Sequence, residues 1–233
     1  CQCRLGYLRV YAFEIEESTK TLSTKDKPLE SGAVRLLAGV VKFNQSLTAL
    51  NLSGTRIEKE AASSIAQALV ANKLLAELDL SRNPMVNPAM YKLGDANDMR
   101  GLQQLADAVL QAASLKRLTL EGGELPVHFL RGVQEHSSAS FTQKKTSKSA
   151  SGTAQEQAIA TGAAVDLSAQ KLTCVSAVVM AALMKDNKYM SELNIHGNEL
   201  GPEGLKIIIE ALRLGTLVAL DAGGNVTPMM SGT

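Results

Sequence analysis

Three histidines and three cysteines are the side chains best suited to proton transfer, nucleophilic attack or metal binding. Cys1 and Cys3 stand one residue apart, and Cys174 is far from both. Structural zinc needs four ligands, usually in pairs two to four residues apart, and no second pair completes the set. An odd cysteine count without regular spacing also argues against a disulfide framework and fits a reducing compartment. His136 lies in a polar stretch, and His128 follows Pro126 in a short helical piece. His196 is expected on a strand, in the outward position after Ile195, with no activating partner in the sequence. Gly122-Gly123 and Gly223-Gly224 belong to no phosphate-cradling pattern and fall in turns, where glycine eases the backbone. Catalysis requires a nucleophile, a base and a stabiliser that converge. The inventory predicts no enzyme, no catalytic residue, no cofactor and no metal.

Polar side chains that recur at a long fixed interval are better candidates, because they point to a binding surface. One set runs Asn51, Asp79, Thr119, Asp166, Asn194, Asp221, and a second runs Ser53, Ser81, Glu121, Ser168, His196, Gly223. A flanking set carries Glu77, Arg117, Ala164, Glu192 and Ala219, with Lys116 beside Arg117 as a basic interruption. The candidate partner-binding residues are Glu77, Asp79, Lys116, Arg117, Thr119, Asp166, Glu192, Asn194, His196 and Asp221.

The interval comes from an internal repeat. Leu47-x-x-Leu50-x-Leu52-x-x-Thr55-x-Ile57 recurs 28 residues on as Leu75-x-x-Leu78-x-Leu80-x-x-Asn83-x-Met85. Further copies are Leu115-x-x-Leu118-x-Leu120-x-x-Gly123-x-Leu125, the degenerate Gly162, Val165, Leu167, Gln170, Leu172, then Met190-x-x-Leu193-x-Ile195-x-x-Asn198-x-Leu200 and Leu217-x-x-Leu220-x-Ala222-x-x-Asn225. An earlier strand is read at Val10-x-x-Phe13-x-Ile15. The Leu-x-Leu alternation gives a short strand with one face inward. Asn83, Asn198 and Asn225 sit where a side-chain amide can satisfy turn backbone groups, so Thr55, Gly123 and Gln170 are expected to leave their turns less well satisfied.

Between strands, apolar residues recur at helical spacing: Ala61, Ile65, Ala68, Leu69; Leu102, Leu105, Ala106, Val109; Val175, Val178, Val179, Ala182; and Leu205, Ile208, Ile209, Leu212. A further helix is predicted over Ser31 to Lys42. Thr173 is placed to N-cap one helix, Pro202 lies near a helix start, and Gly215 follows a helix end. A helix is wider than a strand, so stacked strand–helix units bend with the sheet inside. Six strands about 4.8 Å apart would present a surface roughly 25 Å across.

These repeats, reading SLTALNLSGTRIEKEAASSIAQALVANK and SELNIHGNELGPEGLKIIIEALR, resemble the ribonuclease-inhibitor type of leucine-rich repeat from about residue 31 to the end. The resemblance implies an α/β leucine-rich repeat solenoid, a right-handed horseshoe with a parallel sheet on the concave face and helices on the convex face. Proteins with such repeats include ribonuclease inhibitor, the sensor domains of NOD-like receptors, Ran GTPase-activating protein, tropomodulin and the CARMIL proteins; the insertion after Asn83 resembles the last. The implied roles are a non-catalytic protein-interaction scaffold in a cytoskeletal or regulatory assembly, a regulator of a small GTPase, or the sensor segment of an innate-immune receptor.

Bulk composition agrees with an interaction module. A formal charge of +1 over 233 residues gives no global attraction to nucleic acid or anionic membrane, and 3% aromatic residues leave few stacking platforms. The expected partner is a protein, not a nucleic acid or a membrane, and the expected location is cytoplasmic, with cytoskeletal association under the scaffold reading. The chain starts with Cys and shows no signal-peptide pattern, which reads as a fragment of a longer protein. Residues 1–30 are expected to form an N-terminal cap or partial first repeat, and residues 31–233 the repeat domain. Two offsets exceed the period, placing insertions near 84–97 and 132–158. The second is rich in Ser, Thr, Lys and Gln, with Lys144, Lys145 and Lys148 among hydroxyls, and is expected to be a solvated excursion.

Overall fold

The computed structural model describes residues 7–91, 96–121, 123–132, 141–142, 163–213, 217 and 219–225. In chain order the elements are β1 (Tyr7–Arg9), β2 (Glu14–Glu16), β3 (Thr21–Ser23), α1 (Ser31–Phe43), β4 (Ala49–Asn51), α2 (Ala62–Ala71), β5 (Glu77–Asp79), α3 (Ala96–Gln111), β6 (Arg117–Leu120), β7 (Gly123–Pro126), α4 (Val127–Leu130), β8 (Phe141–Thr142), β9 (Ala163–Asp166), α5 (Cys174–Met184), β10 (Met190–Asn194), α6 (Gly201–Leu212) and β11 (Ala219–Asp221). Short 3₁₀ turns cover Lys59–Ala61, Pro84–Val86 and Pro88–Met90.

The leucine alternation sets the register. Leu50, Leu78 and Leu118 face one another across β4, β5 and β6 in parallel pairs, and Val165, Leu193 and Leu220 do so across β9, β10 and β11. The second ladder, Leu52, Leu80, Leu120, Leu167 and Ile195, is buried as the pattern requires, while Ala222 is only partly covered. Burying each leucine withdraws its whole side chain from water, worth about 1.5–3 kcal/mol. The helices pack in sequence on the other side, α1 on α2, α2 on α3, α3 on α5 and α5 on α6. Helix α5 lies between two neighbours and buries nine of its eleven residues. Among the described residues α6 packs on α5, and Ile209, expected inward, is exposed.

Two expectations are corrected. The strand ahead of the first repeat is Thr21–Ser23, paired in parallel with β4 through Leu22↔Leu50; Val10 to Ile15 instead belongs to an antiparallel hairpin, β1 with β2, whose Phe13 and Ile15 enter the core. Leu22 and Leu29 precede Leu50 and Ile57 by the repeat interval, so the signal was present in the sequence. Among the described residues the repeat strands also fall into two sheets, β3-β4-β5-β6-β7 and β11-β10-β9-β8, rather than one. After Leu120 the chain reverses at Glu121, where φ is +39°, and Gly123-Glu124-Leu125 folds back antiparallel on β6, occupying the edge the next repeat would have used. The described part of the addition after Asn83 is packed: Met85, Val86 and Tyr91 are buried and the Tyr91 hydroxyl donates to the Met85 carbonyl at 2.5 Å. Most of the second insertion, with His136, Lys144, Lys145 and Lys148, lies outside the described residues, as do Cys1, Cys3, Gly162 and Gly215.

Two asparagine columns tie the units together. Asn83 donates to the carbonyls of Leu52 and Leu80 and accepts from Ile57 N–H; Asn198 repeats this with Leu167, Ile195 and Leu172. The column expected to be weak at Thr55 is not, because the Thr55 hydroxyl donates to the Leu52 carbonyl at 2.7 Å. A second column stands three residues before the first leucine of a repeat. Asn72 donates to the Val41 and Asn44 carbonyls at the end of α1 and accepts from Leu74 and Leu75 N–H. Asn187 does the same with Phe129, Leu130, Tyr189 and Met190. At Leu115 that position is Ala112, and Arg131 takes over, its guanidinium donating to the Val109 and Ala112 carbonyls at the end of α3. The turn before each column residue is left-handed at Asp26, Gly54, Arg82, Ala169, Gly197 and Gly224, a periodic demand that glycine meets without strain.

Candidate functional site

The outward strand positions form the candidate surface. Residues Asn51, Asp79, Thr119 and Asp166, Asn194, Asp221 do lie in register within their two sheets, all but Thr119 at the C-terminal end of the strand. They are not idle. Asn51 and Asp79 accept the backbone N–H two residues on, at 2.9 Å, from Ser53 and Ser81. Asp166 accepts from Ser168 at 2.9 Å, and Asn194 and Asp221 accept from His196 and Gly223 at 3.0 Å. Each closes the turn leaving its strand. Amide and carboxylate do this equally, so the charge at Asp79, Asp166 and Asp221 is additional to the fold. Thr119 makes no contact of this kind among the described residues, and its unit is the one that turns back into β7.

The second set departs from expectation. Ser53 and Ser81 are buried, with hydroxyl oxygens 2.9 Å apart, and Ser53 accepts from Arg82 Nε. They cannot present themselves to a partner. Glu121 is half-buried, and desolvation, reinforced by the nearby Glu199 carboxylate, pushes its pKa up to about 7. Burial also raises the Cys174 thiol above its usual range, with Glu121 a smaller contributor.

In the first sheet Glu77 and Asp26 are paired with cations, whereas Asp79 is held by neutral donors. Glu77 and Arg117 are register partners and form an ion pair across β5 and β6. Asp79 accepts from the Asn51 amide at 3.2 Å, and Asp26 pairs with Arg82 at 2.7 Å. Lys116 lies just ahead of β6, with its backbone carbonyl accepting from Val127 N–H and 3.1 Å from His128 Nδ1. The second sheet is different. Glu192 stands between Ala164 and Ala219, whose methyl groups leave room around it. Ala164, Asp166, Glu192, Asn194, Ala219 and Asp221 line a groove of about 270 Å³ with Val165 and Leu193 at its floor. His196 stands beside the groove residue Asp221, its Nδ1 3.5 Å from Asp221 Oδ1, a partner the sequence did not disclose. Among the described residues, no group of three or more His, Cys, Asp or Glu is placed to hold a metal ion, and no helix is long and apolar enough to cross a membrane.

A family profile described as "Leucine Rich repeat" matches residues 43–66 and 186–208, the first and fifth repeat copies. Two solved structures align over much of the chain. The actin-binding site 2 of leiomodin-1 is 16% identical and aligns over 84% of this chain and 79% of its own, with a TM-score of 0.42. The tropomodulin C-terminal domain of Caenorhabditis elegans is 12% identical over 81% of each chain, with a TM-score of 0.35. No curated protein matches in sequence.

Proposed function

For a chain built of leucine-rich repeats, we propose a non-catalytic protein-interaction module that holds a partner on the strand face, with the β9–β10–β11 groove as the principal contact. The shape behind this reading is a horseshoe solenoid, helices outside and strands inside. The observation that carries it is the contrast in charge compensation. Glu77 is matched by Arg117, whereas among the described residues Asp166 and Glu192 form no ion pair and Asp221 has His196 at 3.5 Å. Three carboxylates around a groove with alanine-sized gaps favour a basic segment, whose approach the field would steer at low salt. The groove sits on a sheet held by the asparagine column, so it is preorganised and loses little entropy on binding. The wider setting, a cytoskeletal or regulatory assembly in the cytoplasm, is the one this module suits best.

The test removes charge without touching the turns. Asn51 and Asn194 already close their turns with a neutral amide, so Asp166→Asn, Asp221→Asn and Glu192→Gln together keep the turn hydrogen bonds. The triple variant should unfold within about 0.5 kcal/mol of the parent. Its affinity for captured partners, measured by interferometry, should fall at least tenfold at low ionic strength and converge with the parent at high salt. Asp79→Asn serves as the control in the first sheet. Equal losses for control and triple variant would place the contact elsewhere.

A further inference from the structure

We propose that the outward face of α1 is a homodimer interface, on which a second copy of the chain lays its own α1 antiparallel. The inference is independent of which face holds a protein partner. Helix α1 buries Val34, Leu37, Ala38 and Val41. At 3.6 residues per turn the opposite side carries Gly32, Leu36, Gly39 and Phe43. That side is apolar along its length, with Leu36 43% and Phe43 69% exposed. Exposure there is not a matter of a missing neighbour. At the positions equivalent to Leu36, Gly39 and Phe43, α2 carries Ser64, Gln67 and Ala71, and α3 carries Gln104, Asp107 and Gln111. Both of those helices pack against a helix on each side, yet Gln67, Gln104, Asp107 and Gln111 are exposed. These positions face away from the stack wherever they occur, and α1 makes them apolar.

Two glycines identify the occupant. Glycine within a helix is destabilising relative to alanine. A Cβ at Gly32 or Gly39 would meet nothing within 4 Å, and neither residue has a left-handed φ, so the chain's own packing does not ask for glycine at either place. Gly32, Leu36, Gly39 and Phe43 follow one another at intervals of four, three and four, the seam spacing of two paired helices. Laid antiparallel on a second copy, this order sets large against small in every layer: Phe43 opposite the partner's Gly32, and Leu36 opposite the partner's Gly39. A parallel copy would set Phe43 on itself and glycine on glycine. A lipid surface or an unrelated apolar segment would gain from larger side chains at 32 and 39, whereas a copy of the same helix needs the space. Two helices in contact over three turns cover roughly 800 Å² in all, below the ~1,200 Å² of most stable dimers, so association should be weak, with Kd on the order of 10 μM. Arg35 and Lys42 of both copies would line the same flank of the pair, so salt should tighten it.

Sedimentation equilibrium on the full chain tests this. The parent should pass from monomer to dimer over the micromolar range and associate more tightly as salt rises. Gly39→Gln and Leu36→Ser give α1 the residues of α2. Each should weaken the dimer at least about tenfold. Gly39→Gln should at the same time raise the Tm of the dilute monomer, because it replaces a helix glycine beside open space. Cross-linking reads the direction of pairing in a background carrying Cys1→Ser and Cys3→Ser. Leu36→Cys chains mixed with Gly39→Cys chains should join on oxidation. Phe43→Cys chains alone should not, since their two thiols stand roughly 16 Å apart along the helix axis. A parent that stays monomeric well above the micromolar range would overturn the proposal, whether residues 1–6 or nothing covers the face. So would Gly39→Gln and Leu36→Ser chains that dimerise like the parent, or Phe43→Cys chains that cross-link as readily as the mixed pair.

Discussion

The first sheet and the second are built from the same repeat, yet one resolves its polar groups internally and the other leaves them open. In the first, the Thr55 hydroxyl, both Ser53 and Ser81 hydroxyls, Glu77 with Arg117 and Asp26 with Arg82 all find partners. In the second, the Thr173 and Ser176 hydroxyls are buried without one and three carboxylates face a groove. Glu121 stands at the boundary, where the first sheet folds back on itself. The contrast teaches that the repeat specifies inward residues tightly and leaves each outward position to local compensation. Self-pairing makes a surface inert; its absence leaves a surface available.

The largest effect that can break this comparison concerns the asparagine column. Asn83→Ala removes two donated bonds and strands the Ile57 N–H in the interior, so it should cost about 3 kcal/mol. Asn225→Ala, at the part-buried end of the second sheet, should cost about 1 kcal/mol or less, because water can replace what is lost. Urea denaturation of the two variants gives the ratio directly. Equal costs would mean the far end is as closed as the middle.

The inward leucines and the turn asparagines were legible in the sequence because their chemistry is periodic and has one solution. The helix faces were legible for the same reason, up to Ile209, which fits the pattern and is exposed. Asn44, Asn72 and Asn187 carried an equally regular signal three residues before a leucine, and Arg131 hid it by substituting from a distant position. The split into two sheets was not legible. Gly123 and Leu125 fit the repeat as written, and only the reversal at Glu121 shows that they serve a hairpin instead. Of the candidate surface, the columns were readable, but the pairing that silences Glu77 and Arg117 needed the register. The turn contacts of Asp79, Asp166 and Asp221 needed the coordinates as well.

The next effect lies at the boundary. Glu121 has its pKa raised to about 7 in the fold, mainly by burial, against an ordinary value of 4.5. Its favourable contribution is therefore complete below about pH 4.5, where the carboxyl is protonated in both states, and is lost as pH rises through 7. Glu121→Gln should remove that loss. The variant should exceed the parent by about 1–2 kcal/mol above pH 8, a figure reduced for the carboxyl's partial exposure to solvent. Below pH 5 the two should be alike. Thermal melts at a series of pH values check this, and a parent whose stability is flat from pH 5 to 8 would remove Glu121 as the strained element between the sheets.

The smallest effect decides what Thr173 does. Its position at the start of α5 is that of an N-cap, and as a cap its loss would cost about 0.5–2 kcal/mol. The structure places it there but gives its hydroxyl no capping bond and no other partner, while the side chain is buried. A buried hydroxyl without a partner is a cost, so the isosteric Thr173→Val should leave stability unchanged or raise it by up to about 1 kcal/mol. Thr55→Val in the first sheet reverses the sign, because there the hydroxyl donates to Leu52 at 2.7 Å. It should lose about 1 kcal/mol. The pair shares residue type, substitution and burial, so side-chain entropy and transfer of the methyl groups cancel between them. What remains is the presence or absence of one hydrogen bond. Denaturation midpoints that move in opposite directions would support the division between a compensated sheet and an uncompensated one. A destabilised Thr173→Val would show that α5 is capped after all, and that the second half of the molecule is closed more like the first.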